Sequence, residues 1–308
     1  MKFQQQPHTL LMIRPKHFGF NSQTASSNAF QSDSAVDATL ALEEFNKMVD
    51  VLTAHEVNVE VIDDSDTPVK PDAIFPNNWL STHESGEIIL YPMMAENRRF
   101  ERRDDIVKKL KEKYNVTAVS DFSKYEVDRQ FLEGTGSIVF DHPNKLAYAC
   151  RSPRTDEKLF REFCLKVKYK PVVFDAVDAE GKPIYHTNVM MSIGEDFAVV
   201  CLDSIRNDED QELVLGHLSD TNHKVISISY DQMKAFAGNI IEVKTANEEN
   251  VVLMSTTAFN SLLPGQLNAI TQFADVLPIS IPTIEKTGGG GVRCMVAGIH
   301  LPLRKMDL

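Results

Sequence analysis

A cysteine near the C-terminus follows four consecutive glycines, at residues 288–291, and is the clearest candidate for chemistry. Consecutive glycines cost backbone entropy within a helix or strand, so they indicate a loop that bends sharply or lies close to a ligand. Because an apolar, β-prone run follows at 296–301, the pattern predicts that this loop delivers Cys294 to the start of a strand. Backbone N–H donors there would stabilise a thiolate nucleophile, although a buried, inert cysteine fits this stretch alone equally well.

Four polar residues share a regular spacing with this cysteine. Asn78, Glu133, His186, Asn239 and Cys294 follow one another at separations of 53 to 55 residues, each in the predicted first strand of a hairpin. If the repeating units are arranged radially, these positions face one axis and bring a nucleophile, a general acid/base and an orienting carboxylate together. We interpret Asn239, in Ala-Gly-Asn, as a turn residue and not as a catalytic one.

Each of these residues also has a purely structural interpretation. Glu133, in Leu-Glu-Gly-Thr-Gly at 132–136, is by itself typical of a turn carboxylate, and His186 of a structural histidine. A zinc site built from cysteine, histidine and glutamate would have only three candidate ligands and no short ligand spacing. We therefore expect neither a metal nor an organic cofactor.

Arginines open two of the predicted helices. Arg98 and Arg99 form one pair, and Arg151 and Arg154 lie in Arg-Ser-Pro-Arg-Thr. A cation at a helix start opposes the helix dipole, so these arginines need another reason to be there. Bidentate binding of a substrate carboxylate is one such reason. A solvated surface is the alternative, and it is favoured for Arg99 and Arg151.

The elements that would position these side chains repeat along the chain. A strand–turn–strand–helix–strand unit recurs with a period of about 54 residues, and the strand after each helix follows the same period. Five units predict radial closure as a five-bladed α/β propeller in one domain, residues 1–308. The fifth unit is split between the strand after Cys294 and residues 9–62. A doubly wound sheet is disfavoured because hairpins recur in every unit.

Two segments near the N-terminus have distinct predictions. Residues 16–35 are rich in serine, asparagine and glutamine without any period, which predicts a loop and possible active-site flap. Asp37 then predicts the N-cap of a helix with an apolar stripe that begins at Leu40.

The amino-acid composition indicates which kinds of partner and which cellular compartment the protein has. The chain has 308 residues with 32 Lys and Arg against 44 Asp and Glu, a net charge of −12, and no basic tract. This balance argues against nucleic acid and anionic membranes as partners. No apolar run is long enough to span a bilayer, and the N-terminal residues do not resemble a signal peptide. Four scattered cysteines without a C-x-x-C pair favour a reducing, cytoplasmic location.

Four motifs in this order resemble a known superfamily. Leu-Glu-Gly-Thr-Gly at 132–136, His-Thr-Asn at 186–188 and Gly-Gly-Gly-Gly-Val-Arg-Cys-Met at 288–295 resemble the guanidino-group-modifying enzymes, over nearly the whole chain. That superfamily includes arginine deiminases, dimethylarginine hydrolases and amidinotransferases, and its fold is the five-bladed pentein propeller. Phe-Pro-Asn-Asn-Trp at 75–79 is similar to the branch of CtlX-type citrulline-utilisation hydrolases.

The resemblance implies a role for each matching residue. Cys294 matches the nucleophile, His186 the catalytic histidine and Glu133 the catalytic carboxylate. Arg98 and Arg154 match positions that hold the α-carboxylate of the substrate. The implied partner is a small amino acid, with no cofactor, no metal, no nucleic acid and no membrane, and a homo-oligomer stays open.

The chain departs from the deiminase pattern at two positions, where Asn78 and Asn188 stand in place of aspartates. A guanidinium cation is best held by carboxylates, and burying it among neutral amides costs several kcal/mol. A ureido group is neutral, and each amide offers it a donor and an acceptor. We therefore expect hydrolysis of citrulline to ornithine, ammonia and carbon dioxide. Arginine deiminase, dimethylarginine hydrolase, amidinotransferase and an inactive scaffold are the alternatives.

Overall fold

Five three-stranded sheets make up the computed structural model, which describes residues 3–32 and 37–304. The strands are β1 (Thr9–Arg14), β2 (Asn58–Asp63), β3 (Leu80–Thr82), β4 (Glu87–Leu90), β5 (Ala118–Asp121), β6 (Val139–Asp141), β7 (Leu146–Cys150), β8 (Lys170–Phe174), β9 (Met191–Ile193), β10 (Phe197–Val200), β11 (Lys224–Ser227), β12 (Ile241–Lys244), β13 (Asn250–Ser255), β14 (Asp275–Ile279) and β15 (Ala297–Ile299).

All five sheets share one topology. Their strand orders are β3-β4-β5, β6-β7-β8, β9-β10-β11, β12-β13-β14 and β15-β1-β2. In each, the first two strands pair antiparallel and the last two pair parallel. A parallel pair requires a crossover connection, and a helix supplies it. The predicted mixed α/β repeat is confirmed, and so is the split fifth unit, in which β15 pairs with β1.

Helices connect and cover the sheets. The α-helices are α1 (Ser22–Ala25), α2 (Ala38–Ala54), α3 (Asp104–Lys113), α4 (Gly134–Ser137), α5 (Glu157–Val167), α6 (Asp208–Asp220), α7 (Tyr230–Lys234), α8 (Thr256–Ser261), α9 (Pro264–Thr271) and α10 (Pro282–Gly288). Short 3-10 turns lie at Pro76–Asn78, Glu96–Glu101, Ser123–Glu126, Thr187–Val189, Leu202–Ser204 and Val292–Met295. In the described ranges, no helix combines the length and apolarity needed to cross a membrane.

The N-terminal predictions are confirmed in part. Asp37 caps α2, because its side chain accepts hydrogen bonds from the backbone N–H groups of Thr39 and Leu40. The buried stripe of α2 starts at Ala41, however, and Leu40 is 47% exposed. The predicted loop at 16–35 contains the short helix α1, and its residues 33–35 lie outside the described residues.

The prediction that the evenly spaced residues lie within strands is wrong. Asn78 ends a 3-10 turn, Glu133 immediately precedes α4, His186 immediately precedes a 3-10 turn, and Cys294 lies within one. The reason is that the first strands are only three or four residues long and begin after these turns. A short helical turn before β3, β6, β9 and β15, and a bend before β12, therefore present the polar side chains.

One cavity is lined by the first strand of every sheet. Side chains or backbone of β3, β6, β9, β12 and β15 all face this space, which we call the inner cavity. Asn188 and Arg293, which lie in or beside the turns that precede two of these strands, also line it. The inner cavity therefore extends to the residues that surround Cys294.

Candidate active site

The glycine run shapes the backbone around Cys294. Gly289 ends α10 with a φ of +64°, a left-handed conformation that favours glycine. A Cβ atom on Gly289 would lie 2.7 Å from Asn28 Nδ2 and 2.8 Å from the backbone nitrogen of Gln31. The same atom on Gly290 would lie 3.1 Å from the Cβ of Cys294. The glycines thus form the predicted sharp bend, and they also let the segments around Asn28, Gln31 and Cys294 approach one another closely.

Two amides contact the sulfur of Cys294, which is 4% exposed. Asn239 Nδ2 lies 3.3 Å from Sγ, and Asn188 Nδ2 lies 3.5 Å from it. Burial raises the pKa of the thiol, while the Asn239 hydrogen bond, the Arg293 charge and the Asn188 hydrogen bond lower it; the net direction is upward. Sequence analysis dismissed Asn239, although its shared spacing was the signal that could have identified it.

A neutral histidine and an ionised carboxylate form a buried pair. His186 Nε2 lies 2.9 Å from Glu133 Oε2. Burial lowers the pKa of His186 to about 4, although Glu133 acts to raise it. Burial acts to raise the pKa of Glu133, but the Arg154 charge and the His186 hydrogen bond bring it below its ordinary value. Nε2 therefore donates its proton to Glu133 and leaves Nδ1 as the free base.

No hydrogen bond joins Cys294 to His186 within the described part of the chain. Both side chains line the same cavity, so a substrate bound there would contact each of them. Catalytic hydrogen bonds are often completed only when the substrate is present. A thiol, a neutral imidazole and a carboxylate so arranged can support nucleophilic attack with proton transfer.

Two glycines bring the histidine and asparagine turns together. A Cβ atom on Gly136 would lie 2.5 Å from Asn78 Nδ2 and 2.7 Å from His186 Nδ1. Gly134 has a φ of +48°, and a Cβ atom there would lie 2.2 Å from the carbonyl oxygen of Asn77. The two glycines of the Leu-Glu-Gly-Thr-Gly motif therefore allow the turns to pack closely, and the same motif supplies Glu133.

Arg154 ties the N-terminal segment to the catalytic pair. Its Nη1 lies 3.4 Å from Glu133 Oε2. Its Nη2 donates to the carbonyl of Thr24 at 3.0 Å and to Ser27 Oγ at 2.7 Å. The guanidinium carbon also lies 4.9 Å from the centre of the Tyr185 ring. Part of the predicted flap thus lies directly over the site.

Arg98 is almost fully occupied by protein partners. It makes two hydrogen bonds of 2.8 Å to the carboxylate of Glu101 and one of 2.7 Å to Asn78 Oδ1. A fourth, of 3.4 Å, reaches the carbonyl of Phe75. Since a guanidinium has five N–H groups, one stays available for a substrate. The binding of a substrate carboxylate by Arg98 therefore stays a prediction.

A further carboxylate, which sequence analysis missed, borders the site. Asp72 is 2% exposed, and its Oδ2 accepts a 2.7 Å hydrogen bond from Asn21. The same oxygen lies 3.6 Å from Arg98 Nε, and the buried Oδ1 has no hydrogen-bond partner among the described residues. Asp72 lies outside the period of the other site residues and carries no motif, so no sequence signal identified it.

The site cavity has a volume of about 20 Å³ and joins most of the predicted residues. It is lined by Thr24, Asn28, Asp72, Phe75, Asn78, Arg98, Arg154, Tyr185, His186, Gly288, Gly289, Gly290 and Cys294. Glu133 lies behind His186, and Asn188 lies behind Cys294 toward the inner cavity. In the part of the chain that the structure describes, no group of three or more His, Cys, Asp or Glu residues is arranged to hold a metal.

Solved structures with the same fold belong to arginine-modifying enzymes. The full-length cyanobacterial arginine dihydrolase ArgZ superimposes with a TM-score of 0.76 at 14% identity, covering 96% of this chain and 41% of that one. The ArgZ N-terminal domain with bound substrate gives 0.75 at 15% identity, covering 96% and 98%. A dimethylarginine dimethylaminohydrolase adduct with S-methyl-L-thiocitrulline gives 0.64 at 16% identity, covering 94% and 99%. The chain thus spans less than half of full-length ArgZ.

Sequence comparison identifies the family. A search of curated proteins gave no match. The profile of the eukaryotic-type N,N-dimethylarginine dimethylhydrolase family matches residues 14–301, nearly the whole chain. The protein is thus homologous to hydrolases that act on guanidino C–N bonds. The chain belongs to the N,N-dimethylarginine dimethylhydrolase family and to the guanidino-modifying pentein superfamily that its motifs resemble.

Proposed function

We propose that this protein is a cysteine hydrolase of the ureido carbon of citrulline, with Cys294 as the nucleophile. The substrate assignment is based on one observation: the side chains that contact the sulfur are uncharged. The side chains that hydrogen-bond Sγ within the described residues are the amides of Asn188 and Asn239. Asn78, the third amide, accepts from Arg98 at its oxygen and donates one N–H to Asn77 Oδ1. Its second N–H is left for an acceptor such as a ureido oxygen.

The proposed architecture is a closed propeller of five blades in a single domain, residues 1–308. Support comes from the inner cavity, which is lined by the first strand of each of the five sheets. Closure also explains how residues about 54 positions apart meet at one site. The four cysteines are free and buried, which supports the proposed cytoplasmic location.

In the first half of the reaction, His186 Nδ1 takes the thiol proton and Cys294 attacks the ureido carbon. Glu133 stabilises the imidazolium that forms, because its carboxylate lies 2.9 Å from Nε2. The imidazolium then gives its proton to the leaving nitrogen, and ammonia departs. The product of this step is a thiocarbamate that joins Sγ to the carbonyl carbon of the substrate.

In the second half, water attacks the thiocarbamate carbonyl and His186 Nδ1 accepts its proton. The carbon–sulfur bond breaks, the thiol is restored, and a carbamate leaves. The carbamate decomposes to ornithine and carbon dioxide. Citrulline and one water thus yield ornithine, ammonia and carbon dioxide, with no oxidant or cofactor required.

Two charged residues that line the cavity match the α-amino and α-carboxylate groups of the substrate. Asp72 Oδ1, buried without a partner, is suited to the α-ammonium group. Arg154 is suited to the α-carboxylate, since its contacts with Thr24 and Ser27 are to neutral oxygens that an anion can replace. Arg98 contributes at most its remaining N–H group.

Hydrolysis of arginine or of a methylated arginine is the second candidate. The family profile and the ArgZ structures favour it. A feature of the site favours it too: burial raises the pKa of the Cys294 thiol, and a cationic guanidinium beside the sulfur would promote ionisation more strongly than a neutral ureido group.

Steady-state kcat/KM for citrulline, arginine and dimethylarginine, measured side by side, separates these candidates. We expect citrulline to be the best substrate of the wild type. Asn78→Asp and Asn188→Asp should shift relative kcat/KM toward the cations, while Asn268→Asp, the same change at an exposed position on α9, should not. A wild-type preference for arginine would refute the citrulline assignment but would leave the Cys294 mechanism intact.

A further inference from the structure

An arginine without an acidic partner lines the inner cavity. Arg293 makes a single hydrogen bond among the described residues, from Nη1 to the carbonyl of Val296 at 3.1 Å, and no carboxylate there lies within salt-bridge distance. Four of its five N–H groups are therefore unused. Burial lowers the pKa of Arg293 to about 10, which reflects a poorly compensated charge. Such a cation favours an anionic ligand.

Two histidines with unused ring nitrogens line the same cavity. The rings of His142 and His300 have centroids 4.5 Å apart. His142 Nδ1 pairs with the hydroxyl of Tyr169 at 2.8 Å. Its Nε2 and both ring nitrogens of His300 make no hydrogen bond in the described ranges. Burial is the main cause that lowers the pKa of both histidines, and the charge of Arg293, which lines the same cavity, lowers it further.

The charges around this cluster favour an anion over a metal cation. After burial, the positive charge of Lys145 also lowers the pKa of His142, so Lys145 adds positive charge near the cluster. The carboxylate that lines the cavity is Glu242, whose pKa burial raises to about 7 and whose Oε1 has no described partner. At neutral pH it is partly protonated and can donate a hydrogen bond to an anion.

We propose that the inner cavity binds a small oxyanion through Arg293, His142 and His300. A volume of about 70 Å³ is available, several times the ~10–15 Å³ that one water requires. An ion of four or five heavy atoms therefore fits. Bicarbonate and dihydrogen phosphate share the required chemistry: a negative charge for Arg293 and an O–H group for acceptors such as the unpartnered Oδ1 of Asn188.

Occupancy of this site is coupled to the catalytic cysteine. Arg293 precedes Cys294 in the same 3-10 turn, and its positive charge favours the thiolate. A bound oxyanion offsets that charge, so the thiol becomes harder to ionise. We therefore expect the oxyanion to inhibit attack by Cys294 without competing with the substrate.

Isothermal titration of the full chain with sodium phosphate and, separately, with sodium bicarbonate tests the site, with sodium chloride at matched ionic strength as the reference. Wild type should bind at least one oxyanion in preference to chloride. His300→Gln should weaken binding about tenfold or more, because it removes a hydrogen bond to a charged group. His55→Gln, at an exposed position, should leave affinity within about twofold. Whichever of phosphate and bicarbonate binds more tightly is the ion that the site prefers.

Two further results distinguish this site from the substrate pocket. Arg154→Ala should bind the oxyanion as tightly as wild type. If Arg154→Ala loses oxyanion affinity and His300→Gln keeps it, the ion binds in the substrate pocket and the proposal is overturned. In wild-type protein, nuclear magnetic resonance should show the His142 and His300 titration midpoints move to higher pH on addition of the ion. The proposal would also be overturned if these titration midpoints did not move, or if neither oxyanion bound more tightly than chloride does. Neither readout depends on catalytic activity, so failure here leaves the proposed function untouched.

Discussion

At the scale of single residues, the sulfur of Cys294 depends on amide donors and not on a directly bonded histidine. Burial raises the pKa of the thiol, and Asn239 and Asn188 oppose that rise from 3.3 and 3.5 Å. Hydrogen bonds from neutral donors to a charged group are worth about 1.5–3 kcal/mol. Together with the Arg293 charge, the two amides therefore favour the thiolate against the effect of burial.

Replacing Asn239 with alanine should raise the thiol pKa by about one to two units, since one unit corresponds to ~1.4 kcal/mol. The pH dependence of Cys294 alkylation by iodoacetamide measures this pKa directly. Its midpoint should move to higher pH in Asn239→Ala and stay in place in Asn268→Ala, at an exposed position. An unchanged midpoint in Asn239→Ala would mean that the amide does not stabilise the thiolate.

Replacement of Arg98 should mainly reduce folding stability, whereas replacement of Arg154 should mainly weaken substrate binding. Arg98→Ala leaves Glu101 buried without its bidentate partner, and breaking such a pair typically costs about 3–5 kcal/mol of folding stability. Arg154→Ala should raise KM for citrulline, because a substrate carboxylate would replace its contacts to Thr24 and Ser27. It should cost less stability than Arg98→Ala, because its contact with Glu133 is longer, at 3.4 Å, and Glu133 keeps the hydrogen bond to His186.

Urea unfolding and steady-state kinetics on both variants measure this division. Adding Glu101→Gln to Arg98→Ala should recover part of the lost stability, because the buried charge is removed. A large stability loss in Arg154→Ala with unchanged KM, or the reverse pattern in Arg98→Ala, would contradict the assignment.

At the scale of elements, short turns carry the site. Asn78, His186 and Cys294 each lie in or beside a 3-10 turn that precedes a strand of three residues. Sequence analysis identified the spacing of these residues but assigned them to strands, because a one-turn helix is too short to have a periodicity of its own. Asp72 and the role of Asn239 were missed because both depend on contacts between distant segments.

Gly136→Ala should lower kcat at least about a hundredfold, since misplacement of catalytic groups by even ~1 Å is that costly. The added Cβ would lie 2.5 Å from Asn78 Nδ2 and 2.7 Å from His186 Nδ1. Gly216→Ala, within α6 and with no atom within 4 Å of the added Cβ, is the matched control. It should keep full activity and gain up to about 1 kcal/mol in stability. Full activity in Gly136→Ala would show that the turns have room to separate.

At the scale of the whole molecule, the repeat was predictable because each unit has its own apolar pattern and turn signals. The pairing of β15 with β1, which joins the two ends of the chain, followed from the incomplete fifth unit. The inner cavity could not be predicted. His142 and His300 line it, and the His83 ring lies 6.5 Å from that of His142. The three histidines of this cluster follow strands of separate sheets, and none has the spacing of the catalytic residues.

Acid should destabilise the fold partly through this cluster. Burial lowers the pKa of His83 to about 4, from 6.5 in the unfolded chain. The unfolded state therefore binds the proton first, and stability falls as pH drops below about 6.5 toward 4. Glu101 and Glu242, whose pKa values burial raises to about 7, act in the opposite direction, so the test compares variants.

Between pH 7.5 and pH 5, wild type should lose about 2 kcal/mol more of its unfolding free energy than His83→Gln. Urea unfolding at both pH values measures the difference. His55→Gln, exposed at the end of α2, should retain the wild-type pH dependence. The same pH dependence in His83→Gln as in wild type would show that His83 is not held neutral by the fold.

The central claim is that Cys294 forms a covalent bond with the ureido carbon of citrulline. Rapid quenching of wild-type protein during turnover of citrulline labelled with ¹³C at the ureido carbon, followed by peptide mass spectrometry, tests it most directly. We predict a labelled thiocarbamate on the peptide that contains Cys294, its loss in Cys294→Ser, and release of the label as carbon dioxide. Label on Cys150 or Cys201, or turnover of citrulline by Cys294→Ser at more than about a tenth of the wild-type rate, would contradict the account.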